Sequence, residues 1–410
     1  MNKLINWLSI SFAPKAKKLF SHPWIAAVAD SMQKMVPFIL AGSLIFIYNV
    51  IKSYVSALPD LSNISNFTFG MLGLIVAFLV ASSVMENLHH QAYIQVAGLT
   101  SIAVYLVNMT PKINEKNIMQ IDFSRFGASG LFVAIVNGLF VAIIFHLWSK
   151  IHLLEDSSIP DFFVNWINDI FPILISVAIA TVFVFSLKLD IFKIIQWLFS
   201  PLQGFGQTLP GFILLSLIPA FFYTLGISSW SFNAITMPIF MAGITANIAA
   251  VKTGHAPMNI DTYEVMFTSA LITLGGMGAT LPLNILMFTA KAKKLKILSK
   301  VCIFPSLFNI NEPLMYSTPV VMNPLLMIPI WINAIIGPIV IWIVMRIGLL
   351  NIPSKMIQVG QVPAPISSVM VTQDWRAIIC YIVLFTIYLL VWYPFFKVYD
   401  NSLVKESTEK

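Results

Sequence analysis

The sequence predicts an all-α integral membrane protein with about ten transmembrane helices and two re-entrant hairpins. Of its 410 residues, 58% are hydrophobic and only 10% are charged, whereas soluble domains carry about a quarter of their residues as Asp, Glu, Lys or Arg. Apolar runs free of charge recur at 36–50, 69–84, 130–148 and 171–187, each near the ~20 residues that a spanning helix needs. The basic residues gather in short segments beside these runs, where the positive-inside rule puts them.

That placement accounts for the net charge of +7 without nucleic acid as a partner. Lys3, Lys15, Lys17 and Lys18 precede the first span, and Lys291, Lys293, Lys294, Lys296 and Lys300 sit together between two later apolar stretches. Both segments are expected in the cytoplasm, and an even number of spans puts both termini there. Leu4, Ile5, Trp7, Leu8 and Phe12, followed by lysines, read as an interfacial amphipathic segment rather than a cleaved signal. Cys302 and Cys380 have neither disulfide nor metal spacing, so they read as packing residues.

Spans are expected near 35–56, 67–86, 92–109, 128–149 and 170–188. Residues 190–207 then mix Ile191, Phe192, Ile194, Ile195, Trp197 and Leu198 with Lys193 and Gln196, which suits an amphipathic connector at the interface. This divides the chain into an N-terminal half (1–189), a connector (190–208), a C-terminal half (209–396) and a short cytoplasmic tail (397–410).

The second half is punctuated. Residues 211–225 and 232–250 read as spans or partial spans, 265–290 is interrupted by Gly275, Gly276, Gly278 and Pro282, and 301–319 is broken by Asn309, Asn311, Glu312 and Pro313. Unwound backbone is tolerated at membrane depth only inside protein or beside a cavity. These two stretches are therefore the expected hairpins, followed by spans at 320–344 and 377–396.

Glu312 is the first candidate for chemistry, because an acid in a membrane segment is costly unless it is paired or lines a polar cavity. Pro313 suits the first position of a helix, which puts Asn311 and Glu312 at a helix start. The carboxylate could accept a hydrogen bond from a sugar hydroxyl or take its proton; capping its own helix or pairing with a cation is the alternative. The run Gly275-Gly276-Met277-Gly278-Ala279-Thr280 allows close backbone approach to a ligand at Gly276 and Gly278 and adds the Thr280 hydroxyl, although small residues also serve helix packing. Tyr223, Trp230 and Tyr316 could stack on sugar rings or anchor at the interface. His255, Asp261 and Glu264 read as a solvated loop, with a proton or metal site as the alternative. His89 and His90 beside Glu86 read as a short loop, since adjacent histidines on a helix face different ways. No phosphate-binding loop, nucleophile elbow or zinc-protease motif occurs, so neither a stand-alone enzyme nor a cofactor or metal is implied.

Phe308-Asn309-Ile310-Asn311-Glu312-Pro313, continuing through Pro319-Val320-Val321-Met322-Asn323-Pro324, closely resembles the signature of enzyme IIC of the phosphotransferase system (PTS), in its lactose, cellobiose and diacetylchitobiose class. Further matches are His22-Pro23, Val36-Pro37-Phe38, Gly42-Ser43, Gly278-Ala279-Thr280-Leu281, Asp374-Trp375-Arg376 and the run from Tyr393 to Asp400. The resemblance implies a homodimer whose N-terminal half supplies scaffold and dimer contacts and whose C-terminal half holds the sugar. It also implies a separate cytoplasmic phospho-IIB protein that phosphorylates the sugar as it crosses. By position, Glu312 matches the family's acid near the reacting hydroxyl, Asn311 accompanies it, and Gly276, Gly278 and Thr280 match the loop of the first hairpin.

The chain also departs from that pattern. Where the family usually has Gly-Ile-His-Gly, this chain reads Gly226-Ile227-Ser228-Ser229, so Ser228 takes the place of the site histidine. Met277 stands where a serine is usual, and Gly360-Gln361-Val362 where a Trp-Thr-Thr stretch precedes the prolines. Several polar and stacking groups lost at about 1 kcal/mol or more each would weaken a shared disaccharide by orders of magnitude. The expected function is translocation of a sugar, an oligosaccharide or β-glucoside, for phosphorylation by IIB. The alternatives are a degenerate relative acting as a non-phosphorylating carrier or sensor, and an ion-coupled secondary transporter using Glu312, Asp261 or Glu264.

Overall fold

The structure is a computed structural model and describes residues 7–54, 57–151, 161–318, 320–357 and 362–408. Lys3, Leu4, Ile5, Pro319, Gly360 and Gln361, named above, lie outside the described residues. Apart from a two-residue antiparallel ladder, Lys112–Ile113 with Met119–Gln120, its regular structure is helical.

The chain divides into two compact units. The first comprises Leu19–Leu202 together with Trp230–Pro238. Its helices follow α1 (Ala13–Phe20): α2 (Pro23–Tyr54), α3 (Ser62–Thr68), α4 (Leu72–Asn87), α5 (Ile94–Asn108), α6 (Leu131–Trp148), α7 (Asp161–Thr181) and the start of α8 (Ile191–Gly206). Ala81, Val84, Ala97, Val104, Val141 and Phe145 are buried among them. Asn137 cross-links this core: its Nδ2 donates to Ser101 O at 2.9 Å and its Oδ1 accepts from Asn108 Nδ2 at 2.9 Å. Polar side chains at membrane depth are stable when they find such partners between helices.

Helix α2 begins at Pro23, well before the expected span at 35. Its extra turns carry Asp30 and Lys34, each matched from α4: Asn87 Nδ2 donates to Asp30 at 3.0 Å, and Lys34 pairs with Glu86. His90, read as a plain loop residue, lies with Nε2 3.0 Å from His146 Nδ1.

The second unit comprises Met1–Lys18, Gln203–Ser229 and Ile239–Lys410. Helices α9 (Leu209–Thr224), α10 (Asn233–Lys252), α11 (Leu281–Met287), α12 (Lys293–Leu307), α13 (Glu312–Ser317), α14 (Pro324–Arg346), α15 (Ala364–Thr372) and α16 (Ala377–Thr408) complete the chain. Thr208 caps α9 by accepting from Gly211 N at 3.2 Å, and Asn323 caps α14 by accepting from Leu325 N at 3.1 Å. Both helices carry proline in their first turn, where its missing N–H is no loss.

Among the described residues six helices are long and apolar enough to cross a membrane, and α8 with α9 forms a further pair bent by 91°. The two punctuated stretches are broken as expected. Residues 264–280 hold only a π-helical turn and irregular backbone before α11, and α12 and α13 are separated at 308–311. Helix α16 runs through the expected polar tail to Thr408. The buried Asp400 carboxylate explains this continuation, because it accepts from the N–H groups of Lys291 and Ala292 at 2.8–3.0 Å at the start of α12.

Candidate functional site

The residues that matter most converge where the two broken stretches meet. At the break between α12 and α13 the backbone unwinds, with Asn309 at φ +62° and Asn311 at φ −117°, ψ 0°. Asn311, nearly fully buried, donates through Nδ2 to Met277 O at 2.9 Å and to Thr280 Oγ1 at 3.2 Å, and accepts from the Tyr223 hydroxyl at 3.3 Å. One amide thus joins the glycine loop, the α13 start and the end of α9.

The glycine loop is shaped for this contact. Gly276 has φ +111°, and a Cβ there would fall 2.4 Å from Asn311 Cγ. Only glycine lets the loop backbone come this close to the Asn311 side chain. Thr280, fully buried, donates back to Gly275 O at 2.9 Å. Gly278 O accepts from Asn333 Nδ2 at 3.2 Å, and Ala279 O accepts from Trp392 Nε1 at 2.8 Å. Helices α14 and α16 therefore hold the loop from behind.

Glu312 opens α13, with Pro313 in its first turn, as the sequence predicts. Its side chain is exposed, and among the described residues it makes neither ion pair nor hydrogen bond. Glu312 and Tyr316 both lie near enough to act electrostatically on the Tyr223 hydroxyl. A carboxylate here that neither caps a helix nor neutralises a cation is available to a ligand hydroxyl.

Ser228 lies exposed beyond α9. That corner is tied to the stretch after α13, since Met322 N donates to Thr224 O at 2.9 Å and Trp331 Nε1 donates to Thr224 Oγ1 at 3.0 Å. Trp230 opens the segment Trp230–Pro238, which belongs to the first unit. Met277 is half-buried, with its carbonyl on Asn311.

Several residues of this arrangement escaped sequence reasoning. Asn309 accepts from Gly275 N at 3.1 Å and donates to Val362 O at 3.1 Å, tying the glycine loop to the segment before α15. Its place in the Phe308–Pro313 motif was the available signal. Trp392 and Asn333 gave none, since each reads as one more residue of an apolar span. His255 is exposed, but the solvated-loop reading fails for Asp261 and Glu264, which are fully buried.

Comparisons with known proteins place the whole chain. Residues 29–334 match the family model described as Phosphotransferase system, EIIC. The chain belongs to this EIIC family. Similar EIIC proteins include the Lichenan permease IIC component of Bacillus subtilis, 26% identical over 100% of this chain and 96% of that protein. The PTS system galactose-specific EIIC component of Lactococcus lactis subsp. cremoris is 26% identical over 99% of this chain and 97% of that protein. The lactose-specific EIICB component of Staphylococcus haemolyticus is 27% identical over 99% of this chain and 72% of that protein. The crystal structure of ChbC, the IIC component of the N,N'-diacetylchitobiose-specific phosphotransferase system, superposes with a TM-score of 0.84 at 23% identity, covering 98% of this chain and 99% of that one. The EIIC fold and the multi-pass membrane character of this protein follow.

Proposed function

We propose that this EIIC protein binds a sugar beside Glu312 and carries it across the bacterial cell membrane for phosphorylation by a separate phospho-IIB protein. The observation that carries this reading is the unpaired, accessible Glu312 carboxylate at an unwound turn that Asn311 locks to the glycine loop. A sugar hydroxyl hydrogen-bonded to Glu312 would lose its proton to the carboxylate as its oxygen attacks the phosphoryl group of phospho-IIB. Asn311, Gly276, Gly278, Thr280, Tyr223 and Ser228 would shape the sugar site.

The relatives' names include lichenan, lactose and cellobiose, which supports an oligosaccharide or β-glucoside as substrate. The name EIICB joins a B to the C component in the lactose-specific relatives; here we propose that IIB acts in trans. We further propose a homodimer with cytoplasmic termini, in which residues 1–189 form scaffold and dimer contacts, 190–208 a connector, and 209–396 the sugar half.

The deciding experiment measures phosphoenolpyruvate-dependent phosphorylation and uptake of a panel of labelled sugars in vesicles. The vesicles contain this protein, the general phosphotransferase proteins and candidate IIB partners, with Glu312→Gln as control. Sugar phosphate that forms with wild type and not with the variant supports the permease. Uptake without phosphorylation favours the second reading, a non-phosphorylating carrier or sensor, for which the observation is Ser228 and Met277 at positions where the family usually has His and Ser.

A further inference from the structure

Asp261 is fully buried between α10 and the π-helical turn Glu264–Thr268, and among the described residues both of its carboxylate oxygens lack a hydrogen-bond partner. Its backbone is held, not its side chain. Gln207, at the corner where α8 turns through 91° into α9, donates through Nε2 to Asp261 O at 2.6 Å and accepts from Asp261 N at 3.1 Å through Oε1. The carboxyl points at bare backbone: a Cβ on Gly206 would lie 3.4 Å from Asp261 Oδ2. Gly243 on α10 permits a second close approach, since a Cβ there would fall 2.5 Å from Asp261 O.

No charge balances this group. Among the described residues no ion pair reaches Asp261, and no cation or acid from α8, α9, α10 or α14 perturbs it; burial alone holds its carboxyl well above the usual carboxylate range. On its own segment Glu264, three residues on, is also fully buried and acts on Tyr263. An ionised carboxylate without partners in such a place costs several kcal/mol or more, and the group takes up a proton instead.

We propose that Asp261 is a proton-binding site at the α8–α9 corner, occupied in this conformation and discharged when water reaches that corner. The site is separate from Glu312, and the inference does not depend on the sugar reading. Helix α9 leads from it to Tyr223, and the stretch 264–280 leads from it to the glycine loop. A proton gained or lost at Asp261 therefore acts at the root of both elements that hold Asn311.

Infrared spectra of the purified full chain in lipid, without sugar, test this directly. Wild type at neutral pH should show the carbonyl stretch of a protonated carboxyl that Asp261→Asn lacks and Asp261→Glu shifts; identical spectra for wild type and Asp261→Asn would overturn the proposal. The second measurement is unfolding against pH. Above the ordinary carboxylate range the unfolded chain releases this proton while the folded chain keeps it, so stability falls as pH rises. The folded-to-unfolded ratio should drop about tenfold per pH unit more steeply in wild type than in Asp261→Asn, until Asp261 itself ionises. Equal slopes would sink the idea. Replacing sodium by choline should leave the wild-type midpoint unmoved; a sodium-dependent rise would reassign the site to sodium and overturn the proton.

Discussion

Asn311 lies against the bare α-carbon of Gly276, close enough that any side chain there would collide with its amide. The contact matters because the same amide carries hydrogen bonds to Met277, Thr280 and Tyr223. Gly276→Ala combines this collision with a φ of +111° that alanine resists. We expect a loss of about 1–3 kcal/mol, read as a lower unfolding midpoint in detergent, together with loss of sugar binding.

Asn311→Leu keeps the branching and the number of heavy atoms and removes the polar contacts, leaving Met277 O, the Thr280 hydroxyl and the Tyr223 hydroxyl each short of a partner. Buried groups left unpaired cost about 1–3 kcal/mol each. Tyr223→Phe removes one contact only, and a double-mutant cycle should show the two substitutions to be non-additive. Additive effects would mean that the 3.3 Å hydroxyl contact contributes nothing.

Asp400 accepts three charge-assisted bonds from two backbone N–H groups ahead of α12. Asp400→Asn should destabilise the chain by about 1–3 kcal/mol. It should also speed proteolysis at Lys291, Lys293 and Lys294, which are exposed. An unchanged cleavage rate would show that other contacts hold the segment.

Arg125 grips Asp190 with two bonds, at 2.8 and 3.1 Å, and lies over the Phe192 ring at 4.8 Å. Burial is the largest single influence and raises the Asp190 carboxyl, but the Arg125 hydrogen bonds, the Lys193 backbone N–H and the charges of Arg125 and Lys193 together outweigh it and hold the group below the usual range. The sign follows: the pair's stabilisation is complete above the ordinary carboxylate range and is lost as pH falls through the lowered value. Arg125→Ala should cost about 1–3 kcal/mol at neutral pH, with the gap from wild type closing in acid. A gap that stays constant as pH falls would remove the pair from the account.

Much of the membrane fold was legible because its cause is local. Charge-free runs such as 130–148 and 171–187 must be helical in lipid, and α6 and α7 occupy them. The break at 308–311 was legible for the same reason, since Asn309, Asn311 and Pro313 interrupt an apolar run. Less could be read where a residue's partner is distant. The span expected from 35 left Asp30 and Lys34 outside it, and α2 carries them with Asn87 and Glu86 as their partners. His90 gave no hint of His146, nor Trp392 of Ala279.

The sequence by itself determined a multi-pass helical membrane protein, the positions of its two broken stretches and Glu312 at a helix start, because hydropathy, glycine and proline act on the residues that carry them. Only the tertiary structure decided that Asn311 joins three segments, and that among the described residues Glu312 is left unpaired and the Asp261 carboxyl is buried without a partner. Hydrogen bonding and desolvation depend on which distant groups surround a side chain, and that neighbourhood is created by packing.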